Sequence, residues 1–239
     1  MSDKASQLVV VTGASSGIGL AMSKTLLEQG YQVLGIARDF EQTSIDHKNF
    51  SCTSLDMSDI DKLPAAIAEI VAGINLPVKA LINNAGVGKM GNLEQLSIKD
   101  IRLVMDTNFI SHVIVTKSFL PLLKKQGHGD IVFTGSEAAL KGSRQGSIYC
   151  ASKFAVRGFA QALREECGKS GVRVTVINPG AVRTPFFDEL HFEPGSEQEN
   201  AIEPEDIAKM LITVIEARPG TVFDEITLSP LNHVWQRKR

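Results

Sequence analysis

Residues 147–153 read SIYCASK, and a helical pattern continues through FAVRGFAQALREEC, with Phe154, Phe159 and Leu163 at spacings that suit a core-facing stripe. Tyr149 and Lys153 stand four apart, which sets a phenol and an ammonium one turn apart on the same helical face. A positive charge beside a phenol favours the phenolate, so such a pair could exchange a proton with a ligand. The same spacing also describes an ordinary surface pair, and the fragment alone does not separate the two. A second chemical signal is TGASSGIG at residues 12–19. Glycines at 13, 17 and 19 allow a tight turn and let backbone N–H groups approach a diphosphate at a helix N-terminus, where the dipole favours negative charge. The spacing is not G-x-G-x-x-G, and no Gly-Lys-Ser/Thr follows, which argues against a nucleotide-hydrolase phosphate loop. A glycine-rich turn with no ligand is the alternative.

Both signals need elements to hold them. Short β-branched runs, QLVVVTG, YQVLGIA, NFSCTSLD, VKALINN, GDIVFTG, VRVTVINPG and TVFDEITLS, alternate with helical patterns near 17–30, 58–73, 97–126, 147–169 and 203–217. Alternation of this kind predicts an α/β fold, with right-handed crossovers placing helices on both faces of a parallel sheet whose strands are buried on both sides. With 239 residues, 43% of them hydrophobic and 22% charged, the chain can bury a full core, and one domain over 1–239 is expected. The segment 185–203, PFFDELHFEPGSEQENAIE, rich in acidic and turn residues between a strand and a helix, is a candidate lid.

Lys plus Arg number 25 and Asp plus Glu 27, for a net charge of -2, so no strong field draws in nucleic acid or an anionic membrane. No apolar run approaches the length of a membrane span or signal peptide, and a cytoplasmic protein is expected. Cys52, Cys150 and Cys167 have no metal spacing and read as ordinary buried thiols; the five histidines are scattered, and no metal is expected. The terminal QRKR reads as a solvated tail.

TGASSGIG, NNAG at 83–86, Asn108, Ser136, Tyr149 with Lys153, and PGAVRT at 179–184, in that order, resemble the short-chain dehydrogenase/reductase family. The ending FDEITLSPLNHVWQRKR and the 185–203 segment look like the branch of NADP-dependent 3-hydroxy acid and serine/allo-threonine dehydrogenases. The resemblance implies a Rossmann-type, doubly wound, seven-stranded parallel sheet in a three-layer α/β/α arrangement. It implies that Tyr149 exchanges a proton with the substrate oxygen while hydride passes to or from a nicotinamide. Lys153 would lower the Tyr149 pKa from its ordinary value near 10 and bind the nicotinamide ribose. Ser136 would hold the substrate oxygen, its alternative being a strand-end Ser that caps a turn. Asn108 would be a helix-kink Asn that keeps a proton-relay water in line with Lys153.

The same resemblance assigns a cofactor set. Gly13, Ser15, Ser16, Gly17 and Gly19 would cradle the diphosphate, and Ile18 would offer a backbone contact near the ribose. Asp56 would meet the adenine amine, its alternative being a cap on the helix beginning near Ser58. Asn83, Ala85 and Gly86 would support the adenosine side and the central sheet; Pro179, Gly180, Val182 and Thr184 would line the nicotinamide. Arg38, at the end of GIARDF, could pair with a 2′-phosphate, whereas Asp39 could accept from a free 2′-hydroxyl. NADP is the expected cofactor and NAD the alternative. The substrate is expected to be a small hydroxy or carbonyl compound, a 3-hydroxy acid if Arg144 binds its carboxylate, with Lys141 also nearby. A silent nucleotide-binding regulator, an epimerase and a methyltransferase are the competing readings. The apolar last strand, with Ile226, Leu228 and Leu231, needs cover, and the family suggests a homotetramer.

Overall fold

The computed structural model describes residues 4–41 and 43–238. The sheet strands are β1 (Leu8–Thr12), β2 (Gln32–Ala37), β3 (Phe50–Ser54), β4 (Val78–Asn83), β5 (Gly129–Thr134) and β6 (Val172–Pro179); after a short β7 (Phe192–Pro194) come β8 (Glu225–Leu228) and a short β9 (Trp235–Arg237). The main sheet has seven strands in the order β3-β2-β1-β4-β5-β6-β8, every neighbouring pair parallel. The helices are α1 (Gly17–Glu28), α2 (Leu63–Ala72), α3 (Ile98–Met105), α4 (Ser111–Gln126), α5 (Ser147–Cys167) and α6 (Pro204–Ile215).

Strand alternation sends successive side chains to opposite faces, and the apolar run LVVVT serves both. Leu8 and Val10 pack with Leu63, Ile67, Phe119, Leu123, Val156 and Leu163 of α2, α4 and α5. Val9 and Val11 pack with Met22, Leu26, Ile207 and Leu211 of α1 and α6. The result is the expected three layers. The outermost strand β3, FSCTS, departs from expectation: none of its residues is fully buried, and Cys52 is exposed rather than buried.

Two helical expectations shift. The segment 58–62 is a turn, pinned where Asp59 accepts from the Lys62 backbone N–H at 3.3 Å, and α2 starts only at Leu63 with Pro64 in its first turn, where a missing N–H costs nothing. The stretch 97–126 is not one regular helix: a π-helical turn, Asp106–Ile110, separates α3 from α4.

The C-terminal basic end is not a loose tail. Trp235–Arg237 pairs antiparallel with Phe192–Pro194, and the Lys238 N–H donates to the His191 carbonyl at 3.0 Å. The candidate lid is thereby tied to β9. Arg239 lies outside the described residues.

At the amino ends of the strands, Asp130 of β5 takes two hydrogen bonds from Arg173 of β6, at 2.6 and 2.8 Å. The same guanidinium donates to the carbonyls of Ile215, Ala217 and Thr221 at 3.1, 2.9 and 3.1 Å, closing the end of α6 onto the sheet. Gln126 accepts from the Val78 N–H at 2.9 Å and donates to the Val78 carbonyl at 3.0 Å, anchoring the start of β4.

Candidate active site

The chain passes from β1 into α1 through Gly13, whose φ of +69° only glycine adopts freely. A Cβ on Gly13 would stand 2.9 Å from the Ala85 Cα, and one on Gly19 would run into the Gly13 carbonyl. The turn therefore lies flat against the loop that leaves β4. Thr12 fastens the two together: its hydroxyl accepts from the N–H groups of Asn84 and Ala85 at 2.9 and 3.1 Å. The Asn84 side chain donates to the Thr12 carbonyl at 3.0 Å and accepts from Thr134 of β5 at 3.1 Å, so three adjacent strand ends are joined.

These strand ends open on a cavity of about 1130 Å³ at the carboxyl edge of the sheet, where the strand order reverses between β1 and β4. Gly13, Ser16, Gly17, Ile18, Arg38, Asp56, Ala85 and Gly86 line it, as do Pro179, Gly180, Val182 and Thr184. Ser15, Gly19 and Asn83 do not. The Ser15 carbonyl accepts from Thr43 at 3.2 Å, Gly19 is buried packing against the turn, and the buried Asn83 side chain points into the core to donate to Thr116 at 3.0 Å. Asn83 thus supports the sheet from within, and by strand alternation Asn84, one residue on, emerges at the cavity. Asp56 caps the turn rather than the helix, accepting from the Ser58 N–H and hydroxyl at 2.9 and 2.8 Å while still lining the cavity. Asp39 turns away and accepts from the Glu41 N–H at 2.7 Å, which leaves Arg38 as the charged residue of that pair in the lining.

Ser136, Tyr149 and Lys153 line the other end of the same cavity. Ser136 follows β5, where its N–H donates to the Asn178 side chain at 3.1 Å; Asn178 donates in turn to Glu225 at 2.6 Å, and Glu225 is held by Arg157 through bonds of 2.8 to 3.0 Å. The Ser136 hydroxyl also accepts from the Ala138 N–H at 3.1 Å, so the capping role and the cavity position coexist. Lys153 is buried and donates to the Thr134 carbonyl at 2.9 Å, and its Nζ lies 5.8 Å from the Tyr149 ring centroid. Burial pushes the Lys153 pKa down to about 8. Burial pushes the Tyr149 phenol up to about 12, with a hydrogen bond from Ser136 pulling the other way. The expected depression of Tyr149 by Lys153 is thus not what the site displays: loss of water outweighs it, and Ser136 is the group favouring the phenolate.

Asn108 sits in the π-helical turn, buried, with its amide fully engaged. It accepts from the Val87 N–H at 2.8 Å and donates to the Val87 carbonyl at 3.0 Å and the Ser152 hydroxyl at 3.2 Å. The kink is where the sequence placed it, and the side chain clamps the loop after β4 to α5.

Residues 7–194 match the family model described as short chain dehydrogenase. The chain belongs to that family. It is 32% identical over 240 residues to a sepiapterin reductase from Chlorobaculum tepidum, covering 93% of this chain and 96% of that one. Among solved structures, an alcohol dehydrogenase from the archaeon Thermococcus sibiricus complexed with 5-hydroxy-NADP superposes with a TM-score of 0.84 at 26% identity, covering 98% of this chain and 99% of that one. The closed form of a serine dehydrogenase complexed with NADP+ superposes with a TM-score of 0.81 at 26% identity, covering 92% and 94%.

Two parts of this short-chain dehydrogenase's site left little trace in the sequence. The Asn178–Glu225–Arg157 chain behind Ser136 joins residues far apart along the chain, and nothing local marks them as partners. The other is an aromatic wall. Phe186, Phe187, Phe192 and Trp235 all line the cavity. The run PFF inside a segment otherwise read as polar was the only available signal. Arg144 and Lys141 line the cavity as well, both exposed. Among the described residues no group of His, Cys, Asp or Glu could hold a metal, and no helix is long and apolar enough to cross a membrane.

Proposed function

We propose that this protein is an NADP(H)-dependent oxidoreductase that interconverts a hydroxy compound and its carbonyl form, with Tyr149 as general acid and base. The observation that carries the proposal is the convergence of Ser136, Tyr149 and Lys153 in the cavity that also receives the glycine turn and Arg38. A dinucleotide suits these residues. Close packing at Gly13 and Gly19 leaves bare backbone at the α1 N-terminus for a diphosphate, and the Arg38 guanidinium fits a 2′-phosphate while Asp39 is occupied with Glu41. Two of the structural neighbours were solved with NADP or its hydroxylated form, which supports the same choice, NAD being the alternative.

When bound, the nicotinamide supplies or accepts the hydride. Ser136 holds the reacting oxygen beside Tyr149, whose hydroxyl gives up its proton to a carbonyl undergoing reduction and takes one back in oxidation. The Ser136 hydrogen bond makes that transfer easier by favouring the phenolate, and Lys153, with a pKa of about 8, stays mostly protonated at neutral pH. Lys153 would return the proton to Tyr149, drawing on a water that Asn108 keeps in line, and Lys153 would hold the ribose hydroxyls. The remaining cavity space, walled by Phe186 and Arg144, receives the substrate.

We also propose a single domain over residues 1–239, located in the cytoplasm and assembled as a homotetramer; the apolar Leu231, 81% exposed shortly after β8, is surface that a second copy would cover. Steady-state oxidation of NADPH against a panel of ketones, β-keto acids and sugars tests the function. Turnover of at least one carbonyl with NADPH, and much less with NADH, is expected; binding of NADPH with no turnover of any would leave the silent regulator as the better reading.

A further inference from the structure

Gly88 lies in the loop that leaves β4, two residues beyond Gly86. A Cβ added there would stand 2.5 Å from the Cζ of Phe186 and 3.1 Å from both its Cε atoms. The ring is seated tip-first on bare backbone, in a space that any side chain at position 88 would fill. From that seat its centroid lies 5.7 Å from the Tyr149 ring, the two planes inclined at 55°. An ion pair between Lys89 and Glu189 at 2.6 Å joins the same two loops beside it.

The two adjacent phenylalanines divide their labour. Phe187 is buried at 8% exposure and packs on Phe192 and Trp235 with centroids 6.1 and 5.9 Å away, forming the small core that ties the lid to β9. Phe186 takes no part in an aromatic contact with Phe192 or Trp235. It remains partly exposed, lines the cavity and faces the proposed acid/base. Leu140, Met90 and Leu103 add further apolar lining to the cavity. The cationic residues Arg144 and Lys141 are exposed, where solvent weakens any pull on a carboxylate.

We infer that Phe186, seated on Gly88, sets substrate specificity, and that the substrate carries a flat aromatic group next to its reacting carbonyl or hydroxyl carbon. This deepens the reading of Ser136, Tyr149 and Lys153 as the reacting site and rests on it. An aryl group can pair with the Phe186 ring at an offset or edge-on, gaining both buried apolar area and ring complementarity. A short hydroxy acid offers no surface to that ring.

The test compares acetophenone with acetoacetate as carbonyl substrates, using NADPH, in the unmodified protein and in Phe186→Ala, Phe186→Leu, Gly88→Ala and the Gly88→Ala/Phe186→Ala double variant. Thermal midpoint and NADPH affinity certify that each variant is folded. The unmodified enzyme should favour acetophenone in kcat/KM, and Phe186→Ala should lower the acetophenone-to-acetoacetate ratio by about tenfold or more, the fold-change expected for an aromatic contact with its buried area. Phe186→Leu should fall between. Gly88→Ala should displace the ring and lower the ratio too, with no further loss in the double variant, since the two substitutions act through one contact. A native preference for acetoacetate, or equal losses on both substrates, would overturn the inference. If the unmodified protein turns over neither compound, the wider carbonyl panel decides the proposed function, and calorimetric binding of acetophenone to the NADPH-loaded protein decides the inference by itself. Binding weakened about tenfold by Phe186→Ala supports an aryl site, and unchanged or absent binding refutes it.

Discussion

At the amino ends of the strands, both Asp130 oxygens accept from Arg173, Arg173 also donates to four carbonyls at and after the end of α6, and Gln126 meets both polar groups of Val78. At the carboxyl ends, the glycine turn presents bare backbone, Arg38 and Arg144 are exposed, and Lys153, Tyr149 and His112 are buried with strongly displaced pKa values. One edge of the sheet meets its polar needs internally; the other leaves them open to a ligand. The difference teaches that buried charge can serve stability at one edge and chemistry at the other, and that removing a partner should be felt in different assays.

The largest effect should come from Arg173→Ala, which leaves the 2%-exposed Asp130 carboxylate without its main partner. A loss of about 3–5 kcal/mol in unfolding free energy is expected, with kcat/KM unchanged in the protein that remains folded. Denaturant titration measures it; a loss in activity without a loss in stability would break the division. Tyr149→Phe is the mirror case. It should lower kcat by at least ~10²-fold and leave the thermal midpoint and NADPH affinity close to native. Retained turnover would remove Tyr149 from the mechanism.

Arg38→Asp should be smaller and confined to the cofactor. A charge-assisted hydrogen bond worth about 1.5–3 kcal/mol corresponds to roughly 10- to 150-fold in NADP affinity, and the new carboxylate should shift preference toward NAD. Comparing kcat/KM for the two cofactors checks this, and a native preference for NAD that ignores the substitution would point to Asp39 instead. The last effect is a slope, small per pH unit. His112 is buried with Nε2 on the Ala85 carbonyl at 2.8 Å, and burial, then the Lys153 charge, lower its pKa to about 3. Between its ordinary value near 6.5 and 3 the unfolded chain binds a proton that the folded chain refuses. Stability should therefore fall as pH drops through that window, by about 1.4 kcal/mol per unit from this group, and be indifferent to it above. His112→Asn should flatten the curve there; an unchanged slope would show that His112 is not its source.

What could be read in the sequence follows the range of the forces involved. Most of the seven strands were legible as short contiguous runs rich in β-branched residues, and Tyr149 with Lys153 because helical spacing is local. The choice between Asn83 and Asn84 was not, since it turns on which way one residue of a strand faces. Arg38 against Asp39 was open for the same reason, until the Glu41 N–H claimed the aspartate. The pairing of β7 with β9 joins three-residue strands some forty positions apart, too short to show any periodicity. The pKa of Tyr149 depends on how deeply the fold buries it, and burial depth is a property of the packed whole.

The strand order places β1 between β2 and β4, and LVVVT, buried throughout, carries no charge on either face. Its partner on one side is complete by residue 37, whereas the other begins at residue 78. During folding, then, a short βαβ unit of β1 and β2 can form early and still present a bare, apolar strand edge that waits for a distant segment. Such edges pair readily with those of other chains, and parallel pairing across long loops is slow. Refolding yield should consequently fall as protein concentration rises, with light-scattering aggregates appearing before native absorbance and activity return. A yield independent of concentration would mean that β4 docks before the edge is ever exposed to a neighbour.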